Sequence, residues 1–174
     1  DYSDSQDNNV TKYGYLEFSK APKVSEAKYG TPSIDGNIDE IWNSATVINT
    51  DVAVQGTNAA KAKIRTLWDE NYLYALFEVT DSKLDKSSKA AHEQDSIETF
   101  IDENNGRSAA YDSDDAQYRV NYANEKSGGG SIDLTKFKSF AKTTGNGYLI
   151  EVAIPLKNKA KADMILGFDS QVND

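Results

Sequence analysis

The sequence predicts an all-β fold, an antiparallel β-sandwich of the jelly-roll or immunoglobulin-like type with one short helix. Apolar and polar residues alternate in segments along most of the chain, which is the pattern of half-buried strands. Short polar turns and glycine clusters separate these segments, and a single stretch has the features of a helix. Strands at this spacing favour a sandwich over parallel βαβ units.

The first part of the chain, residues 1–29, is predicted to be a linker. Its opening stretch, DYSDSQDNNVTK, is polar, although Tyr13–Phe18 alternates like a strand. The compact domain is predicted over residues 30–174. Its one helix is expected near Asp39–Ala45, because two acids occupy the first turn, where the helix dipole favours them. Trp42 is a candidate core residue of that helix.

Six segments of the compact domain are predicted to be strands. Tyr72–Thr80 is apolar enough to lie in the centre of a sheet, and the polar turn DEN joins it to the strand before it. The predicted strands are Ala62–Trp68, Tyr72–Thr80, Ser96–Asp102, Ala116–Tyr122, Gly147–Pro155 and Ile165–Asn173.

Composition excludes several classes of function. The net charge of −9 argues against nucleic-acid backbones and anionic membranes as partners. The absence of cysteine excludes disulfides, thiol catalysis and cysteine-based zinc sites. No apolar run approaches the roughly 18 residues of a membrane span. These features suit a neutral ligand, a cation or simple solubility.

A polar sheet face is the first candidate site. Alternation places Glu98 on one face of its strand and Arg119 on one face of another, with amide side chains nearby. If the two strands pair, the carboxylate meets the planar guanidinium, and together they offer fixed donors and acceptors for hydroxyl groups. A solvated cross-strand ion pair without a ligand is the alternative.

Acidic residues crowd the connection between these two strands. Asp102 and Glu103 end one strand, and Asp112, Asp114 and Asp115 precede the next. Crowded oxygen ligands attract calcium, although the spacing is not that of an EF-hand. A solvated acidic loop is equally compatible with the pattern.

Catalytic chemistry has little support in the residues. His92 is the only histidine, so it has neither the partners of a Ser-His-Asp triad nor a second histidine for zinc. Axial haem ligation by His92 and Met164 is a weak alternative, and Met164 is expected to fill a gap in the core. The acid pairs lie in no obviously apolar setting, as a glycosidase would require.

Six motifs, in order, resemble carbohydrate-binding module family 9 over roughly residues 28–174. They are KYGTPSIDGNIDEIWNSA, AKIRTLWDENYLYALFEVTD, EQDSIETFIDENN, DDAQYRVNYANE, GYLIEVAIPLK and LGFDSQVND. The family consists of non-catalytic modules of bacterial xylanases and related secreted enzymes. The resemblance implies a β-sandwich, bound calcium, and a slot for the reducing ends of plant polysaccharides and for short sugars.

The resemblance also assigns roles to residues. It implies that Glu98 and Arg119 hydrogen-bond the sugar and that Gln94 assists them. His92 stands where the family has one of two stacking tryptophans, and the segment that carries the other is not among these 174 residues. Residues 1–29 resemble the end of such a module. They are expected to be the tail of a preceding module or to supply a strand through Tyr13–Phe18.

The resulting prediction is a non-catalytic carbohydrate-binding module of a secreted, plant-polysaccharide-degrading enzyme. Its expected partners are a polysaccharide or oligosaccharide and a catalytic xylanase domain in the parent chain. Structural calcium is expected at Asp102, Asp112, Asp114 and Asp115. The alternative is a degenerate module of the same fold that acts as a spacer or interaction domain.

Overall fold

The computed structural model describes residues 23–50, 52–55 and 59–174. In these ranges ten strands form two sheets, which face each other as a β-sandwich. The described residues contain no helix that is long and apolar enough to cross a membrane. The predicted strand Tyr13–Phe18 lies outside them.

The larger sheet has six strands. Its order is β1-β3-β4-β9-β8, and β2 also pairs with β3. All pairs are antiparallel except the two-residue contact of β1 with β3. The strands are β1 (Lys28–Tyr29), β2 (Val47–Asn49), β3 (Lys61–Trp68), β4 (Tyr72–Thr80), β8 (Lys138–Thr144) and β9 (Gly147–Pro155).

The smaller sheet has four antiparallel strands in the order β10-β5-β6-β7. Its two central strands are those predicted to pair. The strands are β5 (Ser96–Asp102), β6 (Asp115–Asn121), β7 (Lys126–Gly130) and β10 (Gly167–Asn173).

The main core fills the space between the two sheets. Alternate residues of β4 and β9 enter it from the larger sheet, and alternate residues of β5 and β6 enter it from the smaller one. Its largest fully buried members include Phe77, Phe137, Tyr148, Ile97 and Val120.

The larger sheet is covered on its other face as well. A short 3-10 helix, Glu40–Ser44, lays Trp42 on a second apolar cluster that includes Leu76 and Leu149. Burial on both faces explains why β4 is apolar along nearly its whole length. Glu151 holds this cover, because its carboxylate accepts the Trp42 Nε1–H at 3.3 Å and the Gly36 N–H at 2.6 Å.

The sequence predictions fare differently along the chain. The all-β sandwich is confirmed, and Trp42 is fully buried as expected. The short helix expected near Asp39–Ala45 is present as the 3-10 helix Glu40–Ser44, and a further 3-10 helix spans Ala91–Glu93. Met164 is only partly buried beside a turn, and Lys28–Tyr29 forms a strand at the end of the predicted linker. Four strands were not predicted: β1, β2, β7 and β8.

Candidate functional site

The outer face of the four-stranded sheet is polar. Along β5, β6 and β10 one set of alternate residues packs in or against the core, so the other set faces away from it. The register places Glu98 directly opposite Arg119 on β6 and opposite Gln171 on β10. The outward set includes Ser96, Glu98, Gln117, Arg119, Asn121, Ser127, Gln171 and Asn173.

Glu98 is the centre of this face. Its Oε1 accepts the Arg119 Nε–H at 2.8 Å and the Asn173 Nδ2–H at 2.7 Å. Its Oε2 accepts a hydrogen bond from Gln117 Nε2. Glu98 is only 1% exposed. Its carboxylate on β5 is therefore a buried acceptor for donors from the two neighbouring strands, β6 and β10.

The charge on Glu98 is stabilised in place. Burial works to raise the pKa of Glu98, but the hydrogen bonds from Arg119, Asn173 and Gln117 together lower it below its usual value. The carboxylate is therefore ionised at neutral pH. Two nitrogens of Arg119 already donate hydrogen bonds: Nε to Glu98, and Nη1 to Ser127 Oγ at 3.1 Å. The Arg119 side chain is 13% exposed. The remaining donors and acceptors suit a ligand with several hydroxyl groups.

The structure shows where the other predicted binding residues lie. Gln94 adjoins this face, because its Oε1 accepts the Asn121 Nδ2–H at 2.8 Å while its Nε2 donates to the Ser88 carbonyl at 2.7 Å. His92 is exposed in the second 3-10 helix, two residues earlier. Asn173 was not among the predicted binding residues; the structure places it on β10 opposite Ser96, on the same face as Glu98.

The predicted calcium loop is partly assembled. Carboxylate oxygens of Asp102, Asp114 and Asp115 lie within 4.8 Å of one another. Asp112 is not in this group, and its carboxylate accepts the Asp114 N–H at 3.2 Å. The grouped carboxylates accept N–H groups of the same loop, including Arg107 to Asp102 at 2.9 Å. Most of the hydrogen-bonding capacity of these carboxylates is thus used by N–H groups of the loop itself.

A second group of acids was not predicted. Asp81, Asp95 and Asp174 also bring carboxylate oxygens within 4.8 Å of one another, from three distant parts of the chain. Asp81 is 9% exposed, and its Oδ2 is buried without a hydrogen-bond partner. Burial first, and then the charges of Asp81 and Asp174, raise the pKa of Asp95 to about 6. Only the fold unites these residues, so no local motif announced them.

These three carboxylates fit a hard cation well. An unpartnered buried carboxylate oxygen costs free energy, and oxygen-rich groups of this kind are the ligands that calcium prefers. The internally hydrogen-bonded loop at Asp102 offers no comparable orphan oxygen among the described residues.

Comparisons with known proteins agree with the geometry. The family model described as "Carbohydrate family 9 binding domain-like" matches residues 34–174. Over its whole length the chain is 49% identical to an exoglucanase XynX of Acetivibrio thermocellus and 46% identical to an endo-1,4-beta-xylanase A of Thermoanaerobacterium saccharolyticum. It spans only 16% and 15% of the lengths of these curated relatives.

Solved structures give the same result. The chain is 39% identical to a carbohydrate-binding module of family 9 from Caldicellulosiruptor kristjanssonii, solved in complex with cellotriose. The match has a TM-score of 0.81 and covers 85% of this chain and 75% of the other. The complex of such a module with glucose, from the same organism, matches with a TM-score of 0.77.

Proposed function

The chain belongs to carbohydrate-binding module family 9, whose members are non-catalytic parts of larger enzymes, and on that basis we propose that it binds plant polysaccharides through the outer face of its four-stranded sheet. The ligands are chain ends of xylan or cellulose and short sugars. The relatives solved with cellotriose and glucose support this choice.

The observation that carries the proposal is the buried Glu98–Arg119 pair. A carboxylate that is 1% exposed and held by Arg119, Asn173 and Gln117 is an ordered acceptor. The guanidinium beside it is an ordered donor. Sugar hydroxyls both donate and accept, and they exchange water for such pre-set partners at low entropic cost. Glu98 and Arg119 are the main contacts in this proposal, Gln94 acts through Asn121, and His92 lies at the rim.

Titration calorimetry with cellobiose, xylobiose, cellotriose and glucose tests this function. We expect saturable heat with at least one of these sugars. Arg119→Lys keeps the charge but loses the planar fork, and we expect it to weaken binding by roughly tenfold or more. Arg65→Lys is the matched control, because Arg65 pairs with Glu78 on the other sheet and should not affect binding.

A spacer or interaction module without sugar binding is the second candidate. One observation favours it: Trp68 lies on β3 of the larger sheet and Trp42 packs on that sheet from the 3-10 helix, so neither stacks on a sugar at Glu98. The absence of heat with every sugar, from protein whose circular dichroism shows the folded state, would establish the spacer in place of the binding module.

The parent protein is proposed by the same route. The named relatives are a xylanase and an exoglucanase several times longer than this chain. We infer a secreted parent in which a xylanase domain is joined to this module. Detection of xylan-degrading activity and of this module on one polypeptide in culture medium tests the inference.

We further propose that the module binds structural calcium. Asp102, Asp114 and Asp115 remain candidates, but Asp81, Asp95 and Asp174 fit the ion better because of the orphaned Asp81 oxygen. Calcium there would neutralise the mutual repulsion of three acids and tie the end of β10 to the ends of β4 and β5.

Terbium luminescence distinguishes the two calcium candidates. Tyr148 is buried on β9 and pairs with Val79, two residues before Asp81, so we expect its ring to sensitise a lanthanide bound among the three acids. We expect Asp81→Asn to abolish the calcium-competed signal and Asp114→Asn to retain it. The reverse result would place the ion in the loop, and no signal in any form would refute the calcium proposal.

A further inference from the structure

The outer face of the four-stranded sheet has no side chain on β7 opposite Gln117. The strand β7 has the sequence KSGGG, and Gly129 lies directly opposite Gln117 in the register. Gly129 has no side chain, and a Cβ atom there would lie 3.3 Å from Gln117 Oε1. The Gln117 side chain therefore lies against bare backbone on this flank of the Glu98 group, and no side chain of β7 stands between Gln117 and a ligand that approaches the sheet.

Tyr111 stands at the edge of this opening. It lies in the acidic loop between β5 and β6, is 52% exposed, and packs its ring on Gly130, where a Cβ atom would come within 2.8 Å of Tyr111 Cδ2. Gly130 has a φ of +73°, so a residue with a side chain is disfavoured there both by the ring and by the backbone. This ring is thus positioned by a glycine contact while much of its surface stays in water.

The ring of Tyr111 lies beside Gly130, the neighbour of Gly129 on β7, and Gly129 pairs with Gln117, whose side chain donates to Glu98. Burial is the main cause that raises the pKa of Tyr111, and the charges of Glu98 and Asp115 add to it while Arg119 opposes it. Both members of the central ion pair therefore act on this phenol. Among the tyrosines that the structure describes, Tyr29 has a similar exposure of 57%, but it lies on β1 of the other sheet.

We propose that Tyr111 is the aromatic platform on which a bound sugar ring rests. The inference depends on the proposed sugar binding at Glu98 and Arg119. A sugar presents hydroxyls at its edge and C–H groups on its faces, so an ordered hydrogen-bonding group needs an apolar surface beside it. An exposed aromatic ring supplies this surface at low entropic cost. Tyr111 fulfils this role here because Trp42 packs on the larger sheet and Trp68 contacts Tyr29 there, so neither is near Glu98.

Three variants and one wild-type measurement test the platform. With the best-bound sugar in calorimetry, we expect Tyr111→Ala to weaken binding by about tenfold and Tyr111→Phe to stay within about twofold, since the ring is retained. Tyr29→Ala is the matched exposed-tyrosine control and should leave binding unchanged. In wild-type protein, the ring protons of Tyr111 should shift in NMR spectra on titration with the sugar, a test that needs no substitution.

The outcomes separate this inference from the function beneath it. If the wild type binds no sugar, the proposed function itself fails and the platform with it. If the wild type binds, but Tyr111→Ala binds as tightly and the ring protons do not shift, the platform is refuted while the Glu98–Arg119 site stands. Should Tyr111→Ala fail to fold, Tyr111→Leu and the ring-proton shifts decide the question.

Discussion

Replacing Glu98 with glutamine measures how much the buried carboxylate and its hydrogen bonds contribute to the free energy of unfolding. Glutamine has nearly the same shape, but it carries no charge and offers only one acceptor oxygen. Its amide group would face one of the donors that now bind the carboxylate, so Arg119 or Gln117 loses its acceptor. The Arg119 guanidinium, whose side chain is only 13% exposed, would then lack its counter-charge.

The magnitude follows from these contacts. A hydrogen bond to a charged group contributes about 1.5–3 kcal/mol, and breaking a buried ion pair by removing one partner costs about 3–5 kcal/mol. Because glutamine keeps one acceptor, we expect Glu98→Gln to lower the free energy of unfolding by about 2–3 kcal/mol. For a domain of this size each kcal/mol corresponds to about 2–4 °C in Tm.

Urea denaturation followed by circular dichroism measures this loss. Glu78→Gln is the matched control, because the Glu78–Arg65 pair also links neighbouring strands, but its side chains are 37% and 21% exposed. Solvent screens that pair, so we expect a loss below about 1 kcal/mol. If Glu98→Gln costs no more than Glu78→Gln, with equal slopes against urea, the assignment of Glu98 as a buried electrostatic centre is wrong.

Three further predictions concern protons, calcium and the cover of the larger sheet. The pKa of Glu98 is lowered in the folded state, so sugar affinity should stay constant from neutral pH down to the usual carboxyl range and fall only below it, as calorimetry across pH can check. A rise in affinity on acidification would contradict this. EDTA should lower Tm by several degrees in calorimetric scans, and Asp95→Asn should remove that response if the ion lies at Asp81. Glu151→Gln should destabilise the fold by about 1–3 kcal/mol and loosen Trp42, seen as a red shift of its fluorescence. An unchanged spectrum and midpoint would show that Glu151 does not anchor the cover.

Hydrophobic patterning made the central strands predictable, and Tyr72–Thr80, Ser96–Asp102 and Gly147–Pro155 have the predicted bounds. Ser96–Asp102 alternates between the core and a polar face, whereas Tyr72–Thr80 and Gly147–Pro155 are mostly apolar because both of their faces are buried. The same rule predicted that Glu98 would meet Arg119. Alternation failed for β7, because its KSGGG sequence contains three glycines and gives no apolar period. Backbone pairing with β6, not side-chain burial, determines that strand.

The group of three carboxylates at Asp81 could not be predicted from the sequence for a different reason. Asp81, Asp95 and Asp174 are separated by 13 or more positions in the chain, and each is an ordinary acid in its local context. Their proximity results from the order of strands in two sheets, which alternation alone does not specify. Tyr111 was missed likewise, since a tyrosine in an acidic loop has no local mark of its contact with Gly130.

The division of labour between the two sheets bears on how such a module evolves. The larger sheet is buried on both faces, so nearly every change along β4 or β9 disturbs packing. On the smaller sheet, alternate residues have different roles. One set packs in the core between the sheets, and the other set lies on the polar outer face. Substitutions at the exposed outward positions Asp169 and Gln171 of β10 can therefore accumulate with little cost to the fold, whereas the residues that hold Glu98 are constrained by its burial. Selection can retune the preferred sugar on this sheet, and a library randomised only at those positions should yield many folded proteins.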